Sequence, residues 1–241
     1  MPNWTNTTYV FRSKEKEPIE DFRNVLIKWT EEKSLMTDAW DSSPYWLGNI
    51  LLHAGFNYDK ENDTFECECR CRGFIEYIGE SVEEANSRGE HFFYFYIKTE
   101  TAWRTMPKMW ELIIEKLYPG KIEFGFFAIN ECTEYVDAYK PEILEFIGIR
   151  PKDKYWFDRY VDSNRYPQFK NIDSYYGEMS AEEIAENLSV VLEKEITKEE
   201  VQNAKQLEEL IDAANALLND LDEDFFISVC KITEVSRDDF E

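Results

Sequence analysis

The strongest constraint on the fold is a change of hydrophobic period along the first half of the chain. Residues 91–100, "HFFYFYIKTE", are aromatic and β-branched almost throughout, which suits the pleated surface of a strand. In "MPKMWELIIEKLYPG" the period lengthens: Met109 or Trp110, Ile113 and Leu117 fall three or four apart, a helical stripe closed by Pro119-Gly120. "KIEFGFFAINEC" then returns to strand character. Upstream, "NTTYVFRS" predicts a first strand ended by the charged "KEKEP", and Pro18 suits the first turn of a helix. Ile19, Phe22, Leu26 and either Val25 or Trp29 form that helix's apolar stripe. A second, short helix is predicted in "SSPYWLGNILLHAGF", with Ser42 or Ser43 as cap, Pro44 in the first turn, Trp46, Ile50 and Leu51 facing inward, and Gly55 near the stop.

Residues 64–72 alternate strictly, with Phe65, Cys67, Cys69 and Cys71 on one face and Glu66, Glu68, Arg70 and Arg72 on the other. That pattern predicts a half-buried strand, and "GESVEEANSRGE" a loop before the strand at 91–100. The resulting order is β, α, inserted α, β, β, α, β. It is the split βαβ of a ferredoxin-like α+β fold, one antiparallel sheet with helices packed on one face. Beyond residue 133, "YKPEILEFIGIRPKDKYWFDRYVDSNRYPQF" is aromatic and irregular, which suggests short strands and loops. After "SYYG", two helices each open with a capping box, Ser180 with Glu183 and Thr197 with Glu200, the second running as one apolar stripe from Val201 to Leu221. "FFISVCKITEV" closes the chain as a last strand. The expected division is a ferredoxin-like domain over 1–175 and an acidic C-terminal helical extension over 176–241.

Charge limits what such a chain can bind. The formal net charge is −23, and residues 178–241 alone hold 19 Asp plus Glu against 5 Lys plus Arg, a net of −14. A field of that sign repels phosphates, so direct nucleic-acid binding is not expected. A partner with a basic surface is, and Glu199, Glu200, Glu208, Glu209 and Asp212 on the second tail helix are the residues to meet it; the plainer reading is that they keep the protein soluble. With 43% apolar and 16% aromatic residues the chain can bury a sizeable core. It offers no apolar run of the roughly 18 to 20 residues that would span a bilayer and no secretory layout at its start. Five cysteines, three of them within five residues, suggest reduced thiols, so a cytoplasmic location is expected.

The catalytic signals are thin. Thiols two apart on a flat strand stand about 6.5 to 7 Å from each other, whereas thiolates around zinc lie about 2.3 Å from the metal. The three cysteines are therefore read as small apolar groups lining a core, with no metal and no cofactor. His53 and His91 sit in no His-Glu-x-x-His motif, and no nucleophile elbow or phosphate-cradling glycine loop occurs. No catalytic residue is assigned, and a non-enzyme is expected. Against the acidic background, Arg70, Arg72, Trp103 and Arg104, and Arg159 and Arg165 around Tyr160, are the groups that can clasp an anion or nucleotide by stacking and bidentate bonds on an open sheet face. The plainer reading pairs these arginines with nearby carboxylates.

"MPNWTN", "WLGNILLHAGF", "CRG", "TETAW", the helix ending "YPG" and "YWFDRY", in that order over residues 1–165, resemble the YubB ferredoxin-like family of phage, plasmid and mobile-element proteins. Asn3, Trp4 and Asn6 match the family's opening, with Thr5 in place of its usual Cys or Val. Thr101, Ala102 and Trp103 match its Thr-Ala-Trp, while Thr105-Met106-Pro107 replaces the Pro-Pro that often follows. The resemblance implies a ferredoxin-like fold without an iron–sulfur cluster and a mobile-element origin; it supplies no catalytic residues and leaves the acidic tail uncovered. Together with the charge, it suggests a binding protein that meets a host macromolecule through an acidic surface, as a host-defence inhibitor or an imitation of nucleic acid. A small-ligand or nucleotide binder is the alternative.

Overall fold

The computed structural model describes residues 3–36, 43–62, 64–67, 69, 71–87, 89–131, 135–151, 154–162, 174–222 and 224–240. The chain divides into two units. The first comprises Met1–Cys132, Asp137–Arg150 and Glu234–Glu241; the second comprises Thr133–Val136 and Pro151–Thr233. Both are α+β.

In the first unit the described elements run β1 (Trp4–Ser13), α1 (Lys16–Glu31), α2 (Leu47–His53), β2 (Tyr58–Asp59), β3 (Thr64–Phe65), β4 (Gly73–Ile78), β5 (Glu83–Ser87), β6 (Glu90–Ala102), α3 (Pro107–Leu117), β7 (Glu123–Asn130), β8 (Val136–Tyr139) and α4 (Pro141–Leu144). The sheet order is β8-β7-β1-β6-β4, with β5 also on β6. β1 pairs antiparallel with β6 and β7, and β4 and β5 pair antiparallel with β6. Period two decides which face is dry. Tyr9 and Phe11 of β1, Phe95 and Ile97 of β6 and Phe124 and Phe126 of β7 point the same way and are buried with Ile19, Phe22 and Leu26 of α1 and Met109, Trp110 and Ile113 of α3. Their rings interlock: Phe11 lies 5.1 Å from Phe22 and 5.4 Å from Trp110, both edge-on.

The strand expected over 64–72 is not formed as such. Its first two residues pair with β2, and the Phe65 amide then donates to the Cys69 carbonyl at 3.0 Å, turning the chain back on itself. The strand that joins β6 begins at Gly73, where a Cβ would stand 2.4 Å from the Glu100 carbonyl oxygen, so only glycine admits this approach. The expected loop at 79–90 contains β5, because β6 is 13 residues long and its far end needs a second partner beyond β4. α2 begins at Leu47 and not at Pro44: the buried Trp46 ring lies against Gly48 while its Nε1 donates to the Cys71 carbonyl at 3.2 Å, pinning the chain just before the helix. Of the two predicted caps, Ser42 lies outside the described residues and Ser43 makes no cap; its Oγ accepts from the Tyr45 amide instead.

The second unit contains β9 (Lys154–Tyr160), β10 (Tyr175–Ser180), α5 (Ala181–Leu192), α6 (Lys198–Gln202), α7 (Ala204–Asn219) and β11 (Phe226–Glu234), with β9 paired antiparallel to both β10 and β11. Phe157, Ile184, Leu188, Leu210, Ala214, Leu218, Phe225 and Ile227 form its own core. Along the chain the two units meet at 150/151, where the expected division was 175/176. β9 supplies a strand against which the helices' apolar stripes close, so those helices share a core with β9 and β11. The last residues belong to the first unit: the Val235 amide donates to the Ala138 carbonyl at 2.9 Å, and Arg237 pairs with Glu111 and Glu115 at 2.5 and 2.9 Å.

Both capping boxes form as expected. The second helix, however, breaks at Asn203, whose extended backbone (φ −86°, ψ 109°) ends α6 while its Oδ1 accepts from the Gln206 amide to start α7. Asparagine competes for backbone groups in this way, so a continuous apolar stripe does not guarantee a continuous helix. No helix among the described residues is long and apolar enough to cross a membrane.

Candidate functional sites

β6 ends in an unusual turn. The Ala102 amide donates to the Arg72 carbonyl at 2.8 Å and the Trp103 amide to the Asn3 carbonyl at 2.7 Å, after which the Arg104 amide folds back onto the Ala102 carbonyl at 3.0 Å. Trp103, at the centre of this three-residue turn, has φ +70°, a conformation costly for a side-chain-bearing residue. Two buried threonines hold it: Thr5 Oγ1 donates to the Trp103 carbonyl at 3.1 Å and Thr101 Oγ1 to the Arg104 carbonyl at 2.8 Å. The indole is half exposed, and the Arg72 guanidinium lies over it, 5.1 Å from the ring centre. Of the four residues expected on this face, Arg72 and Trp103 are brought together. Arg104 follows along the chain and acts on Asp137, where burial raises the carboxyl pKa and the Arg104 charge opposes it. Arg70 lies outside the described residues. The neighbouring sheet face is acidic: burial, then Glu76 and Glu131, push the Glu100 carboxyl up. An anion placed beside Arg72 and Trp103 would meet those carboxylates.

No family model, curated protein or solved structure matches the chain. Its chemistry is therefore read from the sites alone.

On α6 and α7, Glu199, Glu208, Glu209 and Asp212 are exposed. Glu200 is occupied: it accepts from the Thr197 amide at 2.8 Å and the Thr197 hydroxyl at 2.9 Å, and those bonds lower its pKa. Lys205 sits 3.8 Å from Glu209 across one turn. Past Asp212 the outward residues of α7 are Ala213, Ala216, Leu217 and Asn219, so the carboxylates occupy only the first half of the helix.

Around the turn at 65–69 the thiols are closer than a flat strand allows. Cys69 and Cys71 are buried and Cys67 half-buried, and the Cys71 Sγ lies 3.8 Å from Met109 Sδ. Burial, then the neighbouring Cys67, pushes Cys69 up to about 12, and burial, then Cys69 and Cys67, also raises Cys71 well above the ordinary thiol value. Such thiols stay protonated at neutral pH and are poor nucleophiles. Among the described residues, no group of three or more His, Cys, Asp or Glu is arranged to hold a metal ion; Cys132 lies outside them. His53 stacks on Trp29, and burial lowers its pKa below the ordinary value against the opposing charge of Glu32. In the second unit, buried Arg159 bonds to Asn187 and packs over Phe157, a structural use; Arg165 lies outside the described residues.

One concave site was missed from the sequence. Where β1 runs into α1, a cavity of about 240 Å³ is lined by Arg12, Lys14, Phe92, Lys121 and Glu123. The available signal was the cation-bearing run "RSKEK" at the end of the first strand, read only as a strand end.

Proposed function

We propose that this chain is a non-enzymatic, mobile-element binding protein built on a ferredoxin-like first unit, which meets a basic site on a host macromolecule through the acidic helices of its second unit. The ferredoxin-like assignment rests on the order β1, α1, β4, β6, α3, β7 along the chain with β7-β1-β6-β4 across the sheet and antiparallel neighbours among them. The observation that carries the function is that Glu199, Glu208, Glu209 and Asp212 all face solvent over the α6–α7 junction, where the cations are Lys205 beside Glu209 and Lys198, which pairs with Glu182. Because the outward positions between Asp212 and the C-cap Asp220 carry no carboxylate, the acidic groups of α7 form a compact cluster that fits a basic patch better than an evenly spaced imitation of a phosphate row. The alternative, a nucleotide on Arg72, Trp103 and Arg104, is weaker because Glu100, Glu76 and Glu131 lie close by.

The test is capture from bacterial host lysate with the wild-type chain and an E199Q/E208Q/E209Q/D212N variant, at low and high salt. The proposal expects a partner retained by the wild type, released by salt and absent with the variant. Retention by both proteins at all salt concentrations would refute it.

A further inference from the structure

The cavity between β1 and α1 concentrates cations in a chain that has 27 Lys plus Arg against 50 Asp plus Glu. Arg12 is its floor: the side chain is only 12% exposed, and its guanidinium lies 4.3 Å over the Phe92 ring and 5.7 Å from Phe146. Nε and Nη2 both donate to one oxygen of Glu123, at 3.1 and 2.8 Å, and neither bond uses Nη1. Lys14 and Lys121 stand at the rim, paired with Glu90 at 2.5 Å and Glu15 at 2.6 Å. All four rim groups are at least half exposed, and ion pairs so exposed contribute little, so a ligand can take over either lysine at small cost. Buried Ser13 also lines the cavity; its Oγ accepts from the Glu15 amide at 3.1 Å and keeps its O–H as a donor. α1, 16 residues long, starts beside the cavity with Glu15 as its N-cap residue and no side-chain cap.

We propose that this cavity binds a phosphate dianion, free or at the end of a small ester, held by Arg12, Lys14 and Lys121. Three cations, Arg12 and Lys14 from the end of β1 and Lys121 from the turn before β7, match a group with several charged oxygens better than a carboxylate, which Glu123 already supplies through one oxygen. The volume is below the roughly 300 Å³ at which drug-sized pockets begin, enough for phosphate with a small body and too little for a dinucleotide. The uncharged body has room to extend past Lys121, which also lines a more open depression of about 410 Å³ with Pro18, Asp21 and Tyr118. This site is in the first unit and independent of the acidic helices of the second.

Calorimetric titration of the full chain with glucose 6-phosphate, inorganic phosphate, glucose, and sodium chloride at matched ionic strength tests the proposal. Saturable binding of the phosphorylated probes alone is expected, weakening about tenfold in each of K14Q and K121Q and falling as pH drops below about 6, where the dianion gains a proton. Tighter binding of glucose 6-phosphate identifies an ester, and equal binding identifies free phosphate. The lysine variants are at exposed positions and keep the test valid even if R12Q does not fold. No saturable heat from either phosphorylated probe, equal heat from sodium chloride, or unchanged affinity in a K14Q/K121Q double variant would overturn the proposal.

Discussion

Replacing Trp103 by glycine and by alanine separates backbone strain from side-chain contacts at the end of β6. Both substitutions delete the half-exposed indole and its cation–π contact with Arg72, a contact worth about 0.5–1 kcal/mol at an exposed site. They differ in the backbone: at φ +70° alanine keeps the left-handed penalty of about 1–2 kcal/mol that tryptophan bears, and glycine escapes it. Glycine's larger unfolded-state freedom returns about 0.4–1 kcal/mol of that gain. The glycine variant should therefore be more stable than the alanine variant by about 0.5–1 kcal/mol, read as a higher urea midpoint at equal slope. The turn is over-determined by the bonds from Thr5 and Thr101 and by the amides of Trp103 and Arg104, so neither variant should relax it. An alanine variant as stable as the glycine variant would show that residue 103 does not hold a positive φ in solution, and the account of this turn would fail.

Gly73→Ala should cost about 1–3 kcal/mol by forcing a Cβ to within 2.4 Å of the Glu100 carbonyl and 2.8 Å of the Thr101 Cα, backbone atoms that cannot yield without parting β4 from β6; an unchanged unfolding midpoint would contradict this. At Glu123, burial raises the carboxyl pKa but the hydrogen bond and charge of Arg12, helped by Lys140 and Lys14, outweigh it, so the folded value lies below the ordinary 4.5. A depressed folded value means that the stabilisation is fully present above the unfolded value and lost as pH falls through the folded one, so the stability difference between wild type and E123Q should shrink on acidification below pH 4.5; a difference independent of pH would exclude the linkage. Iodoacetamide at neutral pH should modify half-buried Cys67 before Cys69 and Cys71 in the native protein, as read by peptide mass mapping, and equal rates at Cys67 and Cys71 would show that the thiol cluster is open to solvent.

Local chemistry was legible wherever an element depends on its own residues. β6 and β7 follow from aromatic and β-branched runs, α1 and α3 from three- and four-residue stripes, and the boxes at Ser180–Glu183 and Thr197–Glu200 from groups three residues apart. The turn at 65–69 was not legible, because alternation reports burial and not extension: Phe65, Cys69 and Cys71 are buried as the pattern required, yet the chain between them bends. Of the candidate ligand residues, the meeting of Arg72 with Trp103 depended on Ala102 pairing with Arg72 across the sheet, and nothing local encodes that register.

The amino-acid sequence by itself determined the strands β1, β6 and β7, the helices α1 and α3, the sign of the surface, and the dry face of those elements, since these depend on side-chain period and charge. Tertiary structure alone decided that β5 shares β6, that residues 234–241 close on the first unit, and that Arg12 meets Glu123 across 111 positions beside Phe92 and Lys121. The reason is physical. Unpaired backbone groups and unburied apolar faces can be satisfied by many partners in a chain, and the choice among them is made by packing the whole unit at once.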